Sequence, residues 1–599
     1  MKSPSVAIRN FCVISHIDHG KTTLTDRFLE LTGTVSKNDF KDRRLDSNPI
    51  EQERGITIKL APVRMSYKLE NKFYQLNLID TPGHVDFSYE VSRSLKACEG
   101  AILLVDALKG IQAQTMANAN KALEANLTII PVINKIDNPD AQVDKVSKEI
   151  QDTFGFNQNE IIAISAKTGE NVIQLIKVII NQIPPPTINS NANLKTLVFN
   201  SFYHSHKGVI ASVRLIEGQI NLKDSLYLMS RQTQFNAEEI GFYSPQMKPL
   251  NTLTSGEVGF IATGLKDISL CQVGDTITSY PPQANLLPLE GYQEPQPMVF
   301  MDLYPVENKD FINLTKALDK LSLSDSSLSY SPVSSSVLGS GYKIGFQGLL
   351  HADIVQERLE REFFLDLIVT SPSVKYKVKL TKNNQTISIL SPTQFPDPTL
   401  IKQTKEPFIE ITIFTPVKYL GAVMDLCQSS RAEFISQEFF GIQVKLIYHM
   451  PLQELISDFF GSLKSVSSGF ASLDWKFLKY KSAQIVKLQV LLNRQPVDPL
   501  SVLVVKAKAL EIAKSLSQKL KAIIPKQQFE TPIQITLGGK ILARETIKAF
   551  RKDVTAKLYG GDPTRRQKLL KKQQKGKKRM KLIGRVNLPQ EAFLAILKK

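Results

Sequence analysis

The string SHIDHGKTT, Ser15–Thr23, separates a short β-rich run, FCVI, from a helical one, TLTDRFLEL. A strand, a glycine-containing loop and a helix in that order present backbone N–H groups and a helix N-terminus to an anion, most often a chain of phosphates. The arrangement also constrains what can surround it, because such loops sit at the carboxyl ends of strands in a mostly parallel sheet covered by helices on both faces. The next residues agree: FCVIS, YQLNLID, AILLVD, LTIIPVIN and IIAIS are β-rich runs separated by helical stretches. Residues 1–186 are therefore expected to form an α/β P-loop domain.

Within the loop, Lys21 would reach the β- and γ-phosphates and Thr22 would give its hydroxyl to Mg²⁺, with Asp18, His19, Gly20 and Thr23 lining the same cradle. Ser15 stands where the GxxxxGK[ST] pattern has its first glycine. Further elements follow in order. RGITI, Arg54–Ile58, supplies Thr57 for Mg²⁺ and the γ-phosphate. In DTPGH, Asp80 suits a water-mediated Mg²⁺ contact and Gly83 can offer its N–H to the γ-phosphate. NKID, comprising Asn134, Lys135, Ile136 and Asp137, places a carboxylate that can accept both N1–H and the 2-amino group of guanine. Adenine lacks that donor pair, so the element selects GTP and GDP. SAK, comprising Ser165, Ala166 and Lys167, can turn a backbone N–H toward guanine O6. Hydrolysis then needs an oriented water more than covalent chemistry. His84, beside Gly83, is the candidate for orienting it, and Asp18 is a candidate for helping to hold a monovalent cation.

A chain of 599 residues is too long for one core. Breaks rich in Pro, Gly, Ser and Asn at 184–193, 279–297 and 391–400 suggest a β-barrel over 187–285, α+β domains over 291–390 and 401–480, and a C-terminal domain over 481–599. The net charge of +18 is concentrated at one end: residues 540–599 hold 19 Lys/Arg against 4 Asp/Glu, and the rest is nearly neutral. That asymmetry calls for an anionic partner at the C-terminal end. Arg565, Arg566, Lys568, Lys571, Lys572, Lys577, Lys578, Arg579 and Lys581 are the candidates for contacting RNA phosphate, and a block so dense in one sign is expected to be poorly ordered when free. An anionic lipid surface would attract the same charges, but 564–585 has few large apolar residues to insert, which favours RNA.

Several other features read blandly. No apolar run approaches a membrane span, and Arg9 and Asn10 interrupt the first apolar stretch, so a cytoplasmic protein is expected. Cys12, Cys98, Cys271 and Cys427 are far apart and read as reduced core residues. His204, His206 and His351 make no metal spacing with them, so no zinc is expected. Trp475 reads as a packing residue. The alternating Glu357, Arg358, Glu360, Arg361 and Glu362 read as a solvated helix face with i,i+4 pairs.

SHIDHGKTT, ERGITI, DTPGHVDF and NKID resemble the phosphate loop, the two switches and the base-recognition motif of the translational GTPases. Gly345–Phe363, Leu420–Phe434 and Leu558–Leu597 narrow the resemblance to the elongation factor 4, or LepA, family, over essentially the whole chain. The resemblance implies a G domain, a β-barrel, two α+β (ferredoxin-like) domains and a special C-terminal domain. It implies a monomeric protein that binds the ribosome through rRNA and ribosomal proteins, meets tRNA, and hydrolyses GTP there. Roles implied with it are moving tRNAs backwards on the ribosome, fidelity under ionic stress, and subunit maturation or initiation. A GTP-regulated protein peripheral to the inner membrane is the alternative outside translation.

Overall fold

The computed structural model describes residues 7–35, 45, 48–190, 192–283, 286–289, 296–323, 325, 327–335, 338–440, 443–550, 554 and 563–583. Its first sheet runs in the order Ala61–Leu69, Lys72–Asp80, Ala7–Ser15, Gly100–Asp106, Thr128–Asn134, Ile162–Ala163. Only the first pair is antiparallel. Side chains alternate across a strand, and here the alternation feeds two cores. Phe11 and Val13 face the helices Lys21–Leu31 and Val172–Gln182, while Cys12 and Ile14 face Ser88–Lys96, Ala113–Glu124 and Val143–Phe154. The run VIQLIKVIINQ buries Val172, Leu175, Ile176, Ile179 and Ile180, one stripe at helical spacing.

An eight-stranded antiparallel sheet follows, from Lys195–His204 to Thr276–Ser279, and wraps a core that includes Val198, Val213, Leu228 and Ile261. Two βαββαβ units come next. In the first, the strands are ordered Ser329–Ser335, Gly339–Phe346, Val299–Pro305, Leu367–Val369. In the second they are ordered Glu433–Phe440, Gln443–Pro451, Ile401–Pro416, with Ser472–Ser482 on the far side of Ile401–Pro416. Both follow the ferredoxin-like order, second, third, first, fourth. The hairpin Tyr376–Leu380 and Thr386–Ile389 pairs with Ile401–Pro416, so by hydrogen bonding it belongs with the second unit although it precedes the Pro-rich break at 391–400. Trp475 packs against the core that the two units share.

A further small sheet, built from Ile485–Leu492, Val502–Val505, Thr531–Leu537 and Lys540–Ile547, packs under the helix Ala509–Ile523. The basic segment Pro563–Ile583 is a single helix, where the charge density suggested a chain without fixed structure. Lys, Arg, Gln and Leu are strong helix formers and Pro563 occupies the first turn, so intrinsic propensity outweighs self-repulsion. The rest of the C-terminal resemblance, 584–599, lies outside the described residues. All four cysteines are buried and free, and among the described residues no helix is long and apolar enough to cross a membrane.

Candidate functional site

Ser15 ends its strand in extended backbone, so no glycine is needed at that position of the motif. The turn is made further on, at Asp18 (φ 63°) and Gly20 (φ 94°). A Cβ on Gly20 would collide with Asn134 Nδ2, which donates to His19 O at 2.8 Å. Glycine is therefore required twice over, for its conformation and for the close approach of the NKID segment. Lys135 reinforces the same contact: its Nζ donates to Asp18 O at 2.6 Å and pairs with the buried Asp106 at 2.7 Å. The His19 ring lies beneath the loop and donates from Nδ1 to Leu104 O at 3.2 Å. Burial drops its pKa to about 4, Asp106 opposing, so it is a neutral structural ring and only its backbone faces the cradle.

The helix Lys21–Leu31 starts inside this cradle with Thr23 exposed in its first turn. Lys21 Nζ is buried without a hydrogen-bond partner, with Asp80 Oδ1 3.6 Å away. A desolvated ammonium with no acceptor is costly, and a phosphate oxygen would relieve that cost. The Thr22 and Thr57 hydroxyls face each other at 3.5 Å. Mg²⁺ is bound by a few protein oxygens together with substrate phosphates rather than by an all-protein cage. The pair of hydroxyls fits such an ion, and among the described residues no cluster of three His, Cys, Asp or Glu offers another metal site.

Thr57 is brought here by residues that motif matching passed over. Asn48 and Glu51 form a reciprocal capping box on the short helix Pro49–Arg54. Glu51 Oε1 then accepts the N–H of Ile58 at 2.9 Å and of Lys59 at 3.2 Å, folding the 55–59 segment back on itself. The N-P-I-E string is a legible helix start, and Pro at its first position strengthens it.

That segment also docks on the helix Leu349–Phe363, whose charged face, expected to meet only water and its own i,i+4 partners, also pairs with the G domain. Arg54 donates to Glu357 at 2.6 Å, Arg361 to Glu53 at 2.7 Å, and Asn48 to Glu362 at 3.3 Å. Ile50, Phe87 and Ile354 close an apolar cluster under these pairs. Glu360, Arg361 and Glu362 are exposed as expected, and the expected i,i+4 pairs form, Arg358 with Glu362 and Arg361 with Glu357. An alternating Glu/Arg pattern looks the same whether it meets water or a complementary domain.

Asp80 ends its strand and accepts the Thr81 N–H at 3.2 Å. A Cβ on Gly83 would come within contact distance, 3.7 Å, of Ile17 in the phosphate loop. His84 follows, with 18 % of its side chain exposed. The Asp86 N–H donates to His84 Nδ1 at 3.1 Å, which leaves the ring proton on Nε2. Burial lowers the His84 pKa, with Asp86 opposing, so the ring is neutral near pH 7 and can donate a hydrogen bond from Nε2.

At the base end, Ser165 Oγ donates to Asp137 Oδ1 at 2.7 Å and accepts the Thr168 N–H at 3.1 Å. The Ala166 N–H donates to Asn134 Oδ1 at 2.9 Å, and Ile136 N–H reaches Ile164 O at 3.3 Å. Arg27, unmarked by any motif, donates to Ala166 O at 3.2 Å and Lys167 O at 2.6 Å, holding the SAK segment from the phosphate-loop helix. The sequence motifs thus converge on one cleft edge. The tail cations do not join them: on the helix Pro563–Ile583, Arg566, Lys568, Lys571 and Lys572 are exposed, and Lys577 donates to Phe550 O at 2.7 Å. The side chains of Arg565, Lys578, Arg579 and Lys581 lie outside the described residues.

Residues 6–185 match the elongation factor Tu GTP-binding domain, 403–491 the elongation factor G C-terminus, and 492–598 the C-terminus of the GTP-binding protein LepA. Elongation factor 4 of Acetivibrio thermocellus is 50% identical over 99% of this chain and 98% of its own. The chain belongs to the elongation factor 4 family. Elongation factor 4 of Mycoplasmopsis pulmonis is 51% identical over the same shares. A crystal structure from Thermus thermophilus, 17% identical with a TM-score of 0.56, covers 80% of this chain and 97% of its own and shares the fold. Family membership makes this chain a translational GTPase, and the cleft just described lies within the residues that match the GTP-binding domain.

Proposed function

We propose that this protein hydrolyses GTP when bound to the ribosome and uses the cycle to keep protein synthesis accurate by moving tRNAs backwards on mistranslocated ribosomes. The observation that carries the nucleotide part is the buried Lys21 ammonium with no hydrogen-bond partner, 3.6 Å from Asp80, in the helix turn whose next residue, Thr22, faces the Thr57 hydroxyl. In this reading Lys21 and the loop amides of Asp18 to Thr23 hold the phosphates, and Thr22 and Thr57 would hold Mg²⁺, with Asp80 behind a water. Bound there, Mg²⁺ neutralises charge on the β- and γ-phosphates. Gly83 offers its N–H to the γ-phosphate and His84 donates from Nε2 to the attacking water. Asp137 reads the guanine edge, with Asn134, Lys135, Ser165, Ala166 and Lys167 framing it. The exposed Asp18 carboxylate is the group that would hold a monovalent cation. Switch GTPases of this kind turn over at about 10⁻⁴–10⁻² s⁻¹ alone, and activation supplies roughly 10³–10⁵. Turnover with and without purified ribosomes is the test, and equal rates would refute the reading.

The basic tail is proposed to contact rRNA phosphates. If about 6 cations pair with phosphates, log K against log salt should have a slope of roughly −4 to −5. Raising salt from about 50 to 200 mM would then weaken the tail's contribution several hundred-fold. Deleting Arg565–Lys599 should flatten the slope of ribosome affinity and leave GTP affinity intact. Identical slopes for the two proteins would mean that the tail touches no phosphate, and binding to anionic vesicles in place of ribosomes would favour the membrane alternative.

A further inference from the structure

Asp86 lies two residues beyond His84 and is only 6% exposed. Its Oδ2 accepts the N–H of Leu350 at 2.9 Å and of His351 at 3.3 Å. These are first-turn amides of the helix Leu349–Phe363, which lies in the first ferredoxin-like unit. The residue before that helix, Gly348, has no side chain to cap it, so the cap is delivered across a domain boundary. The same Asp86 donates its backbone N–H to His84 Nδ1, and its Oδ1 lies 3.7 Å from that nitrogen. Phe87 packs into the junction, 5.9 Å from the His351 ring and 6.4 Å from the His84 ring. Gly348 provides the space: its φ of −167° is open to any residue, yet a Cβ there would collide with the Asp86 carboxylate.

We propose that Asp86 is a positioning residue through which the first ferredoxin-like unit sets the orientation of His84. The inference rests on the reading that His84 orients the attacking water. One end of Asp86 is held by the helix amides and the other holds Nδ1, so the direction of Nε2 depends on where that helix stands. Any partner that shifts the helix relative to the G domain, as a large ribonucleoprotein engaging both would, changes the aim of the imidazole without touching it. A misplacement of about 1 Å is enough to cost on the order of a hundredfold in rate.

Single-turnover GTP hydrolysis with saturating ribosomes tests this from both sides of the contact. Asp86→Ala removes the cap, and Gly348→Ala drives a methyl group into the carboxylate from the other domain. Each should slow hydrolysis roughly ten- to hundredfold. GTP affinity should stay within about twofold, because neither residue touches nucleotide. Asp86→Asn, whose amide oxygen still accepts the helix N–H groups, should recover most of the rate. The double variant Asp86→Ala/Gly348→Ala should be no slower than Asp86→Ala alone, since the added methyl no longer meets a carboxylate. Rates are normalised to the folded fraction read from the same GTP titration. Wild-type rates in Asp86→Ala and Gly348→Ala, with His84→Ala slow, would overturn the inference and leave His84 in place. Losses that multiply in the double variant would also overturn it. A wild-type rate in His84→Ala would remove the reading on which it rests.

Discussion

Replacing His84 by alanine should abolish most of the 10³–10⁵ that ribosomal activation is expected to supply, while GTP affinity stays nearly unchanged. The imidazole has one lone pair engaged by the Asp86 N–H and its proton on Nε2. It can therefore donate to a water but has no free lone pair with which to take that water's proton. On the proposed reading His84 therefore acts as an orienting group and not as a general base. A glutamine at this position also presents an N–H donor and has no basicity, so His84→Gln should retain a measurable part of the activity that His84→Ala loses. The pH profile supplies a second check. Burial lowers the ring's pKa below its usual value, with Asp86 opposing, so the neutral form predominates at neutral pH and activity should not fall through this ring as the pH rises above about 7. Activity falls only on the acid side, as protonation breaks the bond from Asp86. A fully active His84→Ala, measured in single turnover with ribosomes, would remove this residue from the mechanism.

The candidate nucleotide cleft could be proposed from the sequence because its parts are local. A Gly-Lys-Thr between strand and helix, and short polar strings after apolar runs, announce both the element boundaries and the residues exposed at them. What stayed hidden was set by partners distant in sequence. Asp86 reads as an ordinary acidic residue until the amides of Leu350 and His351 are beside it. Arg27 looks like a solvated helix position, yet it holds the backbone of Ala166 and Lys167. The charged stretch Glu357–Glu362 has a pattern that water and a complementary surface satisfy equally well, so periodicity alone cannot choose between them. The hairpin Tyr376–Ile389 carries no mark of which sheet it joins, because strand pairing across a proline-rich break is a tertiary choice. In the tail, charge repulsion and helix propensity pull opposite ways, and counting charge alone favours the wrong one.

Asp137→Asn should turn a guanine-specific enzyme toward xanthine. In the wild type the carboxylate offers acceptors only, matching the N1–H and 2-amino donors of guanine. Hydrogen bonds to a charged group are worth about 1.5–3 kcal/mol each, so losing one of the two weakens GTP binding by roughly 10–10². The neighbouring hydroxyl fixes which way the new amide points. Ser165 Oγ already accepts the Thr168 N–H, and its own proton goes to Asp137 Oδ1 at 2.7 Å. That proton needs an oxygen, so the amide carbonyl stays on Ser165 and the amide nitrogen takes the place of Oδ2. There it opposes a donor on guanine, whereas xanthine carries a carbonyl at its 2-position and accepts. A site built on complementary hydrogen bonds rejects the mismatched base by up to about 10⁴–10⁵. Ribosome-stimulated hydrolysis of XTP should therefore rise in the variant as that of GTP falls. Adding Ser165→Ala should blunt the switch, because without the hydroxyl the amide is free to flip. If Asp137→Asn keeps its preference for GTP, the carboxylate does not read the base edge and the specificity must come from the backbone amides around Ala166.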